Sequence, residues 1–124
     1  MKEIVLNTNA PAPIGPYSQA TLLGNLLFVS GQIALDDKGE LHKEDIKIET
    51  HQVMKNLGLI LQQAGFSFED VLKCTIFLKN FNDFQLVNEV YGSYFQKNPP
   101  ARETVEVSRL PKDVNIEISC IAGK

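Results

Sequence analysis

Histidine and cysteine are scarce in this sequence, two of each in 124 residues, and those present are not arranged for metal or redox chemistry. Cys74 and Cys120 lie far apart, each inside a strand-like run, with neither a CxxC pair nor the Cys/His spacing of a zinc site. They read as small buried apolar side chains of a reducing compartment. His42 falls in a polar turn region and His51 near a helix start, with no HExxH pattern, so surface or capping roles are expected and no metal is. Neither GxxxxGKS/T nor GxGxxG occurs, which removes the usual phosphate and dinucleotide cradles. Ser18, Ser30 and Ser108 have no recognisable histidine partner for nucleophilic catalysis.

Basic charge is also short, with 12 Lys and Arg against 15 Asp and Glu and a net charge of -3. Nucleic acids and anionic membranes are held by clustered cations that release counterions, so neither is expected as a partner. The opening MKEIVLNTNAPAP lacks the unbroken apolar core of a signal peptide. No run of about eighteen apolar residues occurs anywhere, so the expectation is a cytoplasmic protein without a membrane span.

What the sequence does contain is an ordinary globular balance, 44% hydrophobic and 22% charged, in a length that suits one domain over residues 1–124. Ile4 to Leu6 reads as a short strand, and Asn9 to Tyr17 as a loop stiffened by Pro11, Pro13 and Pro16, fit to hold Tyr17 in one place. Ser18 to Leu23 and Leu26 to Ser30 flank Gly24-Asn25 as a hairpin. It ends in Ser30-Gly31-Gln32, where Gly31 permits a close approach that a side chain would block. Val53, Leu57, Ile60, Leu61 and Ala64 recur at three- and four-residue intervals, which predicts a helix from about Ile48 to Ala64, stopped by Gly65. Val71 to Leu78 is nearly apolar on both faces, the pattern of a central strand. A second helix is expected from about Asp83 to Gln96, with Asn82 as its N-cap and Pro99-Pro100 beyond its end. The order of elements predicts an α+β fold, a single mixed β-sheet with two helices packed on one face. Two helices leave the second face uncovered, so a homo-oligomer is expected.

The residues with chemical promise lie between Asn98 and Ala122. Alternation along a strand places Arg102, Thr104 and Glu106 on one side and Val105 and Val107 on the other. After the Leu110-Pro111-Lys112-Asp113 turn it separates Val114, Ile116, Ile118 and Cys120 from Asn115, Glu117 and Ser119. Arg102 follows Pro99-Pro100-Ala101 and offers a planar fork to a carboxylate, or a surface or intersubunit salt bridge. Glu117 sits between Ile116 and Ile118, where it serves either a structural ion pair or the orientation of a water. Tyr17 fits packing or a hydrogen bond at a cleft, and Asn88 is by default a solvated helix residue.

Taken in order, Ile14-Gly15-Pro16-Tyr17-Ser18-Gln19, Ser30-Gly31-Gln32, Phe81-Asn82-Asp83-Phe84 with Val87-Asn88, Pro100-Ala101-Arg102, and Ser108 to Val114 through Glu117-Ile118 resemble the Rid family of reactive intermediate deaminases, also called the YjgF family. The likeness is greatest to its RidA branch and spans essentially the whole chain. It implies a chorismate-mutase-like fold, a homotrimer with clefts between subunits, and no cofactor. It also implies hydrolysis of small 2-imino acids, such as 2-iminopropanoate and 2-iminobutanoate, to 2-keto acids and ammonia. On this resemblance Arg102 is the carboxylate clamp, Glu117 the water-associated carboxylate and Tyr17 the cleft tyrosine, with Ser30, Gly31 and Asn88 lining the site. Many members carry Ala-Arg-Ser-Cys where this chain has Ala101-Arg102-Glu103-Thr104, so a hydroxyl replaces the cleft thiol, and alternation aims Glu103 away from the cleft. A non-catalytic carboxylate-binding or regulatory protein on the same fold is the alternative, and RNA cleavage the least favoured reading.

Overall fold

The regular structure comprises β1 (Glu3–Val5), β2 (Ala20–Leu23), β3 (Leu26–Gln32), α1 (Ile46–Gln63), β4 (Val71–Leu78), α2 (Phe84–Gly92), β5 (Ala101–Glu106) and β6 (Ile116–Gly123), in a computed structural model that describes residues 1–124. Strand, hairpin, helix, strand, helix, strand and strand follow one another as expected. The strands form one sheet in the spatial order β1-β2-β3-β6-β4-β5, antiparallel except for β4 and β5, whose parallel pairing is bridged by α2. This is an α+β fold with a six-stranded mixed sheet and two helices.

Register decides which side chains meet the helices. Val5, Ala20, Val29, Cys120, Cys74 and Arg102 lie in one row across all six strands. All but Arg102 are buried, in one core with Val53, Met54, Leu57, Ile60 and Leu61 of α1 and Val87 and Tyr91 of α2. Ile116, Ile118 and Ala122 of β6 join the same core, so Glu117, Ser119 and Ile121 point to the opposite face. That face carries no helix. Ile4, Leu23, Leu26, Phe28, Leu72 and Val105 are exposed on it, and only a small cluster of Ile33, Leu35, Leu110 and Val114, with Phe77 and Val107 against it, covers one end.

Three local expectations are corrected. Helix α1 begins at Ile46, two residues before the expected start, because Asp45 Oδ1 accepts from Ile48 N at 2.9 Å and caps it. Helix α2 is shorter than expected and ends at Gly92. Tyr94 N and Phe95 N instead donate to carbonyls three residues back, and both rings turn onto Phe68. Its entry is a single three-residue turn, Phe81–Asp83, capped by Asn80 and not by Asn82. Val105 lies on the side of β5 away from Arg102, the face without helices, and is exposed there. No helix is long and apolar enough to cross a membrane.

Ile118 is fully buried and pairs with Ile76 at the centre of the sheet. Ile118→Ala is expected to destabilise the chain by about 2–5 kcal/mol, through lost burial and a residual cavity, in denaturant titrations at fixed protein concentration.

Candidate functional site

Glu117 owes its position to an irregularity in the neighbouring strand. The register of β3 against β6 shifts between Val29 and Gln32, so Ser30 and Gly31 form a bulge. Ser30 is tied back, its N donating to Gln19 O at 2.9 Å and its Oγ to Ser18 O at 2.6 Å. Gly31 lies directly beneath the carboxylate: a Cβ there would stand 2.5 Å from Glu117 Oε2 and 2.7 Å from its Cδ. Glycine is what allows Glu117 to lie over β3. Half-buried and without a hydrogen bond or ion pair, the Glu117 carboxyl is raised above its ordinary pKa by burial.

A cavity of about 320 Å³ opens over this carboxylate, walled by Ile14, Tyr17, Ser30, Gly31, Ile33 and Pro111. Its walls are held from within the core. Gln19, 1% exposed, accepts from Asn7 N at 2.7 Å and donates to Asn7 O at 3.0 Å and Pro11 O at 2.9 Å, which fixes the proline-rich loop. Tyr17 Oη accepts from Ile14 N at 3.3 Å, tightening the same loop, while the ring stays exposed. Asn56 of α1, also buried, donates to Ile33 O at 3.0 Å and Leu35 O at 2.8 Å on the far wall.

Arg102 lies elsewhere. It stands on the edge strand β5, two strands from Glu117, and faces the helices where Glu117 faces away from them. Its Nη1 donates to Asn88 Oδ1 at 2.7 Å, and its guanidinium lies 5.1 Å from the Tyr91 ring centre and 5.6 Å from that of Phe84. Asn88 is therefore not a solvated bystander. Three ion pairs occur in the chain, Lys47 with Glu89, Lys73 with Glu103 and Arg109 with Asp113, beside a hydrogen bond between His42 and Asp36, and Arg102 is in none of them. Beside it, Thr104 Oγ1 is buried with no hydrogen-bond partner. The candidate residues thus fall into two groups: Tyr17, Ser30, Gly31 and Glu117 around the cavity, and Arg102, Asn88 and Thr104 on the helix side of an edge.

Cys74 and Cys120 are free, buried and facing one another across β4 and β6, and burial raises both thiol pKa values, which keeps them protonated. His, Cys, Asp and Glu nowhere gather in a group of three that could hold a metal ion. The sequence reading missed Ile14, Ile33 and Pro111 as walls, and Gln19 and Asn56 as supports. Asn56 carried a signal, since it lies on the apolar stripe between Val53 and Ile60 where a polar side chain needs an internal partner.

The family profile described as "Endoribonuclease L-PSP" matches residues 7–124. A RutC family protein of Pyrococcus horikoshii is 58% identical over 125 residues, covering 100% of this chain and 99% of that protein. The 2-iminobutanoate/2-iminopropanoate deaminase of Rattus norvegicus is 46% identical over 98% of this chain and 90% of its own length. Among solved structures, that of E. coli TdcF with bound serine superposes with a TM-score of 0.94 at 40% identity, covering 98% of both chains.

The raised Glu117 pKa has a signed consequence for stability. Below the unfolded carboxyl pKa both states are protonated; as pH rises toward the higher folded value, folding increasingly requires a half-buried charge and stability is lost. Glu117→Gln cannot ionise, so its melting temperature should gain on that of the native chain as pH climbs from the ordinary carboxylate range, then hold a constant lead. A lead independent of pH would contradict the assignment.

Proposed function

The chain belongs to the Rid family, also called the YjgF or RutC family, and on that premise we propose that it hydrolyses small 2-imino acids to 2-keto acids and ammonia, at clefts formed between copies of the chain in a homotrimer. The observation that carries this reading is a pair of unmatched charges. Arg102 has no carboxylate partner and Glu117 no cation within the chain, and the two face opposite sides of the sheet. A half-buried guanidinium retained without a counter-ion suits an anionic ligand. The uncovered apolar face supplies the reason for copies to associate. Association would set the edge strand of one copy against the Glu117 cavity of the next.

The chemistry follows from the two groups. Arg102, held by Asn88 and two aromatic rings, takes the substrate carboxylate through the donors that Asn88 leaves free. This sets the adjacent C=N carbon over the neighbouring copy's cavity. Glu117 accepts a hydrogen bond from a water and draws off its proton as oxygen attacks that carbon, giving a tetrahedral carbinolamine. Starting from the protonated imine that carbinolamine is neutral; the same carboxyl returns the proton to nitrogen, and as ammonia departs the Glu117 carboxylate takes the hydroxyl proton, so that the carbonyl forms and the proton passes on to the released ammonia. Its raised pKa brings it closer to neutral pH, where one group can serve both as base and as acid. Thr104 Oγ1, unpaired within the chain, is a further donor on the Arg102 side. Tyr17 would close the cleft or donate a hydrogen bond.

Two relatives support the substrate class. One is named for the deamination of 2-imino acids, and the other holds serine, which like the proposed substrate carries a nitrogen and a carboxylate on one carbon. The endoribonuclease in the family description fits less well, because the cavity offers one carboxylate and no histidine, lysine or arginine. A carboxylate-binding protein without turnover is the second reading, favoured by Thr104 at the position where the resemblance to the family implies a thiol; it predicts ligand binding with no acceleration of ammonia release.

With a 2-imino acid generated in situ and keto acid as readout, Arg102→Ala is expected to lose at least about a hundredfold in kcat/KM while its oligomer persists. Unchanged turnover would remove Arg102 from the site. Light scattering should give three times the chain mass, and a monomer that remained active would refute the shared cleft.

A further inference from the structure

Glu49 is the one buried carboxylate in the chain, fully enclosed in the first turns of α1 and paired with no cation. A buried carboxylate is costly unless its oxygens are hydrogen-bonded. Both are, and both to one residue: Oε2 accepts from Asn115 N at 2.7 Å and Oε1 from Asn115 Nδ2 at 2.8 Å. Asn115 stands two residues before Glu117, and its own carbonyl accepts from Lys79 N at 3.0 Å where β4 ends. The entry to β6 is therefore clamped from the helix on one side and from the neighbouring strand on the other.

The clamp matters because of what precedes it. Lys112 and Asp113 both hold left-handed backbone conformations, φ 55° and 54°, which non-glycine residues adopt at a cost. A strained turn is a poor anchor for the strand it leads into. Yet Glu117 must arrive within tenths of an ångström, since its carboxylate rests over Gly31 where even a methyl group would collide. Glu49 does not line the cavity. We propose that Glu49 is a positioning residue, whose two hydrogen bonds to Asn115 fix the entry of β6 and thereby the placement of the Glu117 carboxylate over Gly31. In its kinetic form the proposal rests on the imine-hydrolysis reading above.

A reversed pair tests it. Asn115→Asp sets two carboxylates face to face, and kcat for imine hydrolysis should fall by about tenfold to a hundredfold with KM within about twofold, because substrate binding through Arg102 is untouched. Adding Glu49→Gln restores both bonds with one polarity inverted, Gln Oε1 accepting from the residue 115 N and Gln Nε2 donating to the Asp carboxylate, at the native net charge. The double variant should recover kcat to within about threefold. The amide resonance of Gly31 gives a readout free of turnover: it should move in Asn115→Asp and return in the double variant. If Asn115→Asp does not fold, Asn115→Ala repeats the test at smaller amplitude, with kcat down about threefold and the Gly31 resonance displaced. Turnover within twofold of native in the single variant, a double variant no better than the single, or a stationary Gly31 resonance would each overturn the proposal. A native chain that releases no ammonia would instead defeat the deaminase reading, leaving the Gly31 resonance to decide the role of Glu49.

Discussion

The two-residue period of a pleated strand, imposed on β6, is the constraint on which the site depends. Ile116, Ile118, Cys120 and Ala122 are committed to the core beneath the helices, and that commitment obliges Glu117 to project from the other face. A slip of one residue would bury Glu117 among aliphatic side chains and expose the central isoleucines. The same burial that stabilises the sheet thus aims the carboxylate, and the bulge at Ser30 and Gly31 clears the ground on which it lies.

The second consequence concerns charge. A single copy leaves a half-buried guanidinium without an anion and a half-buried carboxylate without a cation, on faces that do not meet. Neither arrangement is favourable alone, and a protein selected only for the stability of one copy would be expected to pair or discard them. The aromatic shelf of Phe84 and Tyr91 and the amide of Asn88 soften the isolation of Arg102 without neutralising it. Glu117 has no comparable relief. Charges kept unmatched in this way are poised for something arriving from outside the chain.

Much of this was legible in the residues alone, and what escaped has a physical reason. Element order, the α1 stripe, the central strand at Val71–Leu78 and the close approach at Gly31 were all readable, because each rests on local periodicity or on one backbone requirement. Alternation also sorted Arg102 and Thr104 from Glu103 and Val105, and Ile116, Ile118 and Cys120 from Glu117 and Ser119, but it failed just before β6, where Val114 packs with Ile33, Leu35 and Leu110 and Asn115 reaches Glu49 of α1. What alternation cannot supply is the phase between two strands, since Arg102 and Glu117 each lie on the more polar side of their own strand yet on opposite sides of the sheet. That phase is set by pairing with β4, a contact distant in sequence. The end of α2 was misjudged for a related reason: Tyr94 and Phe95 continue its apolar spacing, but their rings are drawn to Phe68, which lies before β4.

Glu103, adjacent in sequence to Arg102, shows how the same rule resolves a conflict. A carboxylate adjacent in sequence to Arg102 would weaken the positive field around its guanidinium, if both shared a face. Glu103 instead turns to the helix-free side, where it accepts from Thr75 Oγ1 and pairs with Lys73 Nζ at 3.2 Å. The Thr75 hydrogen bond, and after it Lys73, hold its pKa below the usual carboxylate value, so it stays ionised and matched away from Arg102. The thickness of the sheet separates it from the Arg102 side, and Lys73 offsets its charge. Glu103 therefore adds its charge to the helix-free face and leaves the field at Arg102 largely intact, whereas Thr104, one residue further and back on the Arg102 side, presents a buried hydroxyl with no partner within the chain.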